Sequence, residues 1–276
     1  MKKAVVIAVG MLAVLLGAGA GWYWWKRQAV EAPVVASAPP PAAAPDAAKP
    51  AVPAASEPRI RHPIEAPVEA TPAAPRDAAT VLTDLVGRKA ALSMLQLDDF
   101  PRRFVATVDN LGGARAPARL WPVVPAGGRF GVERRDGLES IAAANAERYA
   151  PFLAFIESVD LRRAAGAYRT LYPEFQQAYE ELGYPRRYFN DRLVEVIDLL
   201  LATPELDGPA RVHLPPINGP VQPERPWVLY EFDDPALAEL TSGQKMMVRM
   251  GPAAERRLKA RLVEFRRLVA SGAATR

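Results

Sequence analysis

The stretch LYPEFQQAYEELGYPRRYFNDRLVEVIDLLL, residues 171–201, decides the fold. Leu171, Phe175, Ala178 and Leu182 recur at helical spacing and so share one face. Phe189, Leu193, Ile197 and Leu200 repeat the pattern, with Asp191, Arg192, Glu195 and Asp198 mostly off that line. Between the two runs, Gly183 can take the positive φ that ends a helix, and Pro185 forbids the first helix to continue. So short a link requires an antiparallel pair, packed apolar face to apolar face or both against a third element.

Working outward, the patterning predicts helices over 78–86 and 88–95 with Gly87 between them. In LDDFPRRFVATVDNLGG, Asp98 is the expected N-cap and Pro101 suits a first turn. Phe100, Phe104, Val108 and Leu111 give the buried stripe, and Gly112-Gly113 stops the helix. Residues 114–137 read as irregular with a short strand at 129–133. A helix is predicted from Leu138 to Val159, with Ile141, Asn145 and Arg148 or Tyr149 along one side and Pro151 kinking or splitting it. Asp160 caps a further helix through Thr170. Thr203 to Pro226 is a loop with seven prolines. WVLYEF, 227–232, reads as a strand whose candidate partner is 129–133. Asp233 or Asp234 caps a short helix to Leu240, and Thr241 with Gln244 forms a capping box for 242–250. Gly251 and Pro252 separate that helix from the last one, which carries Leu258, Leu262, Phe265 and Val269 on one face.

Ala4 to Trp25 carries no charge over 22 residues, enough at about 1.5 Å per residue to cross a hydrocarbon core of roughly 30 Å. Lys2 and Lys3 precede it, and Trp22, Tyr23, Trp24 and Trp25 crowd its far end, where amphipathic rings settle among headgroups. Residues 1–27 therefore read as a single-pass anchor, N-terminus inside, in a bacterial inner membrane. A cleaved signal peptide is the rival reading, on Ala18-Gly19-Ala20. Residues 28–79 are rich in Pro and Ala, too poor in buriable surface to fold, and read as a disordered linker in which His62 is solvated. The fold class expected for 80–276 is mainly α, a multi-helix domain with at most one short β-hairpin or strand pair. From residue 80 onward there are 27 Lys and Arg against 25 Asp and Glu, a balance of +2, which argues against a nucleic-acid surface. The chain has no cysteine and two histidines, His62 and His213, so thiol chemistry is excluded and a metal site or histidine triad is not expected.

Three blocks resemble the bacterial family catalogued as domain of unknown function 3014: FPRRFVATVDNL at 100–111, YPEFQQAYEELGYPRRYFNDRLVEVIDLLLATPE at 172–205, and YEFDDPALAELTSGQKMMVRMGP at 230–252. The resemblance covers roughly residues 80 to 270. It implies the same plan of membrane segment, proline-rich arm and domain, and it implies no catalytic residues.

Candidate chemistry is sparse. Ser242-Gly243-Gln244-Lys245 fits the S-x-x-K spacing in which a lysine one turn from a serine takes its proton. The S-D-N and K-T-G partners are absent, and the capping box accounts for Thr241, Ser242 and Gln244 without chemistry. Asp98-Asp99 and Asp233-Asp234 are paired carboxylates of a kind glycosidases use, but both stand where helix N-caps belong. The richest constellation surrounds the central turn: Tyr172, Tyr179, Tyr184 and Tyr188, with Arg186 and Arg187 between. Rings beside arginines line grooves for sugars or peptides, while core packing with hydroxyls reaching solvent explains the same tyrosines. The turn is the first place to look for a ligand site. Met246, Met247 and Met250 read as core fillers, His213 as surface, and the arginines of the last helix as a solvated face or a contact for an anionic surface. No cofactor is called for. The reading is a periplasmic module that binds or scaffolds an envelope protein or cell-wall polymer; the alternative is a cell-wall hydrolase or acyl transferase.

Overall fold

The computed structural model describes residues 60–64, 77–216 and 223–270. All of these belong to one compact unit, residues 54–276. The expected span at 4–25 and most of the 28–79 segment lie outside the described residues. Among the described residues, no helix is long and apolar enough to cross a membrane.

The domain is mainly helical. Asp77 opens α1 (Ala78–Val86) by accepting from the Thr80 amide at 2.7 Å. Gly87, at φ 81°, then lets the chain turn into α2 (Arg88–Met94). The element at the centre is α3 (Phe100–Leu111). Both α6 (Tyr172–Glu181) and α7 (Phe189–Leu201) lie on it: the Phe104 ring sits 4.9 Å from Phe175 and 6.0 Å from Phe189. The two helices thus bury their apolar faces against a third. Phe175, Ala178, Phe189, Leu193, Ile197 and Leu200 are buried as the periodicity requires. At about 1.5–3 kcal/mol for each large apolar side chain, these contacts are the main stabilising term of the bundle.

The core closes with α5 (Leu161–Thr170), capped by Asp160 through the amides of Arg162 and Arg163, and with α10 (Pro252–Val269). Leu258, Leu262, Phe265 and Val269 of α10 face the core as expected. Its arginines are not a free cationic face. Arg256 pairs with Glu205, Arg257 with Glu157, Arg261 with Glu264 and Arg266 with Asp198.

Four expectations need correction. Leu182 is exposed, because α6 ends at Glu181 and the chain is already turning; Tyr179 takes the buried place instead. The N-cap position of α3 is Asp99, not Asp98. Its backbone is left-handed at φ 51°, and its side chain makes no capping bond. No helix begins at Leu138. Instead β1 (Val132–Arg135) pairs with β2 (Leu138–Ile141) across Asp136-Gly137, both at positive φ as a tight two-residue hairpin demands. The helix starts later, as α4 (Asn145–Ser158), and runs unbroken through Pro151. Buried Asn145 fixes that start: its amide group donates to the Ala142 carbonyl, and its oxygen accepts from the Gly131 amide at 2.9 Å.

There are also two short strand pairs among the described residues rather than at most one. The WVLYEF strand does not meet 129–133. Only its end, β4 (Glu231–Phe232), is extended, and it pairs with β3 (Val212–His213) from the proline loop. A bridge between Ser140 and Arg211 joins the two pairs, and beneath them Ile141, Val212, Phe232, Leu237 and Val248 form a second small core. Two helices remain: α8 (Pro235–Ala238), capped by Asp234, and α9 (Ser242–Met250), which has the predicted capping box.

Candidate functional site

The turn between α6 and α7 is held by one side chain. Gln176 donates to the Arg187 carbonyl at 2.9 Å and accepts from the Phe189 amide at 2.8 Å. Gly183, at φ 113°, permits the reversal. The Tyr184 hydroxyl reaches across to Asp109 at 3.2 Å, and its ring stacks on Tyr179 with centroids 4.6 Å apart. Asp109 also holds Arg192, at 2.9 Å, and Arg192 bonds Glu195 at 3.0 Å. Gly112 makes this possible: a Cβ there would lie 2.8 Å from an Arg192 nitrogen.

Beside this turn opens a cleft of about 540 Å³. Tyr188 and Pro185 give it apolar surface, with buried Tyr179 behind them; Arg186, Arg187, Asp191 and Arg192 give it charge. Four of the six residues expected to bind are therefore brought together: Tyr179, Arg186, Arg187 and Tyr188. Tyr172 and Tyr184 are not in the lining. Tyr172 is buried behind it, with its hydroxyl bonded to Gln176, and burial together with the Tyr188 contact pushes its pKa far above the ordinary value. Burial likewise raises Tyr168 and Tyr179. The hydroxyls of Tyr168 and Tyr172 act as hydrogen-bond donors, to Asn190 and Gln176. Arg187 lies over the Tyr184 ring at 5.6 Å, while the Arg61 and Arg186 guanidiniums have no ionic partner among the described residues.

Arg61 belongs to a part of the site that sequence reasoning missed. Residues 60–64, inside the segment read as solvated linker, lie against the start of α7. The Arg61 and His62 amides donate to the Asp191 carboxylate, at 3.0 and 2.7 Å. The His62 carbonyl accepts from Asn190 at 2.8 Å, and the Ile64 amide donates to the Tyr188 hydroxyl at 2.8 Å. Ile60 and Arg61 line the cleft. His62 is thus a docked residue and not a solvated one. No apolar periodicity marks this segment, because its backbone is held by side chains of another element.

The other candidates do not converge. Ser242 is buried and its hydroxyl donates to the Asn110 carbonyl at 2.8 Å, so it holds α9 to the end of α3. Asp234 caps α8, and Asp233 bonds His213 at 2.7 Å. Glu181 accepts from Gln177 and from Arg102, which together hold its carboxyl below the usual range. Met247 and Met250 fill core; Met246 is partly exposed. Among the described residues, no three His, Cys, Asp or Glu gather in a way that would hold a metal ion.

The model of one protein family, described as Protein of unknown function (DUF3014), matches residues 100–266. That span runs from the start of α3 into the last turn of α10. It includes the central turn and leaves out the docked segment at 60–64. No curated protein and no solved structure matches the chain.

Proposed function

The chain belongs to the DUF3014 family of proteins of unknown function, and from that premise we propose that it is a tethered binding module. In this reading, residues 4–25 anchor it in a bacterial inner membrane. The proline-rich arm carries the domain into the periplasm, and the cleft beside the α6–α7 turn receives an envelope protein or a cell-wall polymer. The supporting observation is the cleft itself. At about 540 Å³ it lies within the roughly 300–1,000 Å³ range of ligand sites, and it combines apolar surface with three arginines, Arg61, Arg186 and Arg187, that carry no ion pair among the described residues. A structural role alone does not require unpaired arginines around tyrosine rings, since exposed charge of this kind adds little to stability.

The test is position-specific crosslinking in cells. A photoreactive residue at Arg186 or Arg187 of the full chain should give one dominant adduct, and the same residue at Arg134, on the β1–β2 hairpin, should not. Adducts equal in amount and identity from both faces would refute the site. Compartment is tested separately. The chain has no cysteine, so a single cysteine at position 134 should react in intact spheroplasts with a maleimide that cannot cross the inner membrane. Protection until lysis would refute the periplasmic placement.

A further inference from the structure

We infer that the cleft takes an acidic, apolar-anchored segment of a partner protein, and that the docked residues 60–64 complete it by supplying Arg61. This deepens the binding reading and rests on it.

Three observations point the same way. First, the surviving charge at the cleft is positive. Asp191 is occupied by two backbone amides, and Glu195 and Arg192 satisfy each other. Arg61, Arg186 and Arg187 are left without ion pairs among the described residues. A guanidinium fork matches a carboxylate in two parallel hydrogen bonds.

Second, the walls are not polar throughout. Ile60, Pro185 and Tyr188 offer apolar surface that a bare polyanion could not use and that an aliphatic side chain between acidic residues could.

Third, this surface already holds a peptide. Four backbone groups of 60–64, with no sheet or helix of their own, are satisfied by Asp191, Asn190 and the Tyr188 hydroxyl. The neighbouring cleft is continuous with that docked segment through Ile60 and Arg61.

If Arg61 touches the ligand, docking of 60–64 and ligand binding must favour each other, because coupling between two binding events is reciprocal. Asp191→Ala then has a diagnostic sign. It removes a negative charge from the cleft, which on electrostatics alone would tighten an acidic ligand. It also releases 60–64, which on this proposal weakens it.

The experiment uses the full chain in neutral detergent and a fluorescein-labelled peptide of repeating Glu-Leu-Pro, read by anisotropy and its salt dependence. Binding is expected, with loss of about tenfold or more for the double variant Arg186→Ala/Arg187→Ala and roughly three- to fivefold for Arg61→Ala. Asp191→Ala should also bind more weakly. Peptides with Lys for Glu, or Ser for Leu, should not bind. Tighter binding by Asp191→Ala with Arg61→Ala unchanged would overturn the role of the docked segment while leaving the ligand class standing. Equal binding of the Ser-for-Leu peptide, of polyphosphate or of anionic vesicles would overturn the acidic-peptide assignment. No peptide binding, alongside a specific adduct from position 186 in cells, would overturn the ligand class and leave the cleft as the binding site. Failure of both would remove the site itself.

Discussion

Asn190 is the residue whose replacement should be felt most widely. It is fully buried at the first turn of α7. Its amide nitrogen donates to the Val269 carbonyl at the end of α10 and to the His62 carbonyl of the docked segment, both at 2.8 Å. Its oxygen accepts from the Tyr168 hydroxyl at 3.0 Å, on α5. One side chain thus ties four parts of the chain. Asn190→Leu keeps the volume nearly constant and orphans the Val269 carbonyl and the Tyr168 hydroxyl, each at about 1–3 kcal/mol. The His62 carbonyl lies nearer solvent and can recruit water. Added apolar burial returns roughly 1–2 kcal/mol. Mid-range values leave a net loss of about 2.5 kcal/mol, read from urea unfolding followed by fluorescence as a lower midpoint with an unchanged slope. Asn190→Asp separates charge from donor loss. It preserves the acceptor for Tyr168 but faces a carboxylate toward two carbonyls, so it should be worse than leucine at neutral pH and recover as acid protonates it. Stability of Asn190→Leu within about 0.5 kcal/mol of the parent, the range of an ordinary surface substitution, would refute the network.

Gly243→Ala should cost about 1–3 kcal/mol by the same assay, because its Cβ would sit 2.6 Å from a Leu200 methyl and 3.0 Å from the Leu111 carbonyl where α9 crosses α3 and α7. Ser242→Ala should lower stability by about 1–2 kcal/mol through loss of the bond to the Asn110 carbonyl, and the parent should form no stable adduct with a labelled β-lactam; an adduct would revive the acyl-transferase reading. Burial raises the folded pKa values of Tyr168, Tyr172 and Tyr179 above the ordinary tyrosine value of about 10. Both states hold these protons below that pH. Above it the unfolded chain alone releases them, so stability is intact at neutral pH and falls on the alkaline side by up to about 1.4 kcal/mol per pH unit per tyrosine. Thermal melts between neutrality and strong alkali check this, and Tyr168→Phe should make the alkaline fall shallower.

The helices were legible because their apolar residues face one core. Phe175 and Ala178 on α6, and Phe189, Leu193, Ile197 and Leu200 on α7, are where a period of 3.6 places them. The caps at Asp160 and Thr241 were equally readable, since each needs only a short polar side chain at one position, and that of α8 was readable to within Asp233 or Asp234. The β1–β2 hairpin carried a signal that the reading passed over. Asp136-Gly137 is a strong two-residue turn signature, and Leu138 and Ile141 fit a helical stripe only by coincidence of spacing. The partner of β4 was not readable. Strands of two residues have no period, and the choice of β3 is made by packing beneath Val212 and Phe232.

The candidate site divides along the same physical line. Tyrosine and arginine enrichment around the turn located the cleft, since those residue types are costly to bury and informative where they cluster. What it could not show is which of them remain available. Tyr172 and Tyr184 are taken up internally by Gln176 and Asp109. The five arginines of α10 look more basic in sequence than the pair at 186–187, yet four of them are in ion pairs with residues far along the chain or one turn away. The three long-range pairs, Arg256–Glu205, Arg257–Glu157 and Arg266–Asp198, depend on tertiary proximity, to which local pattern is blind. Asp191 makes the point from the opposite side. Off the apolar line of α7, it reads as a solvated charge, but it is the anchor for two amides more than a hundred residues upstream. A helix face that is polar toward its own core can be the inner face of a second, smaller layer. That layer joins residues 60–64 to the cleft, and it is why variants at 61 and 191, rather than at the tyrosines, discriminate most sharply between a passively docked segment and one that takes part in recognition.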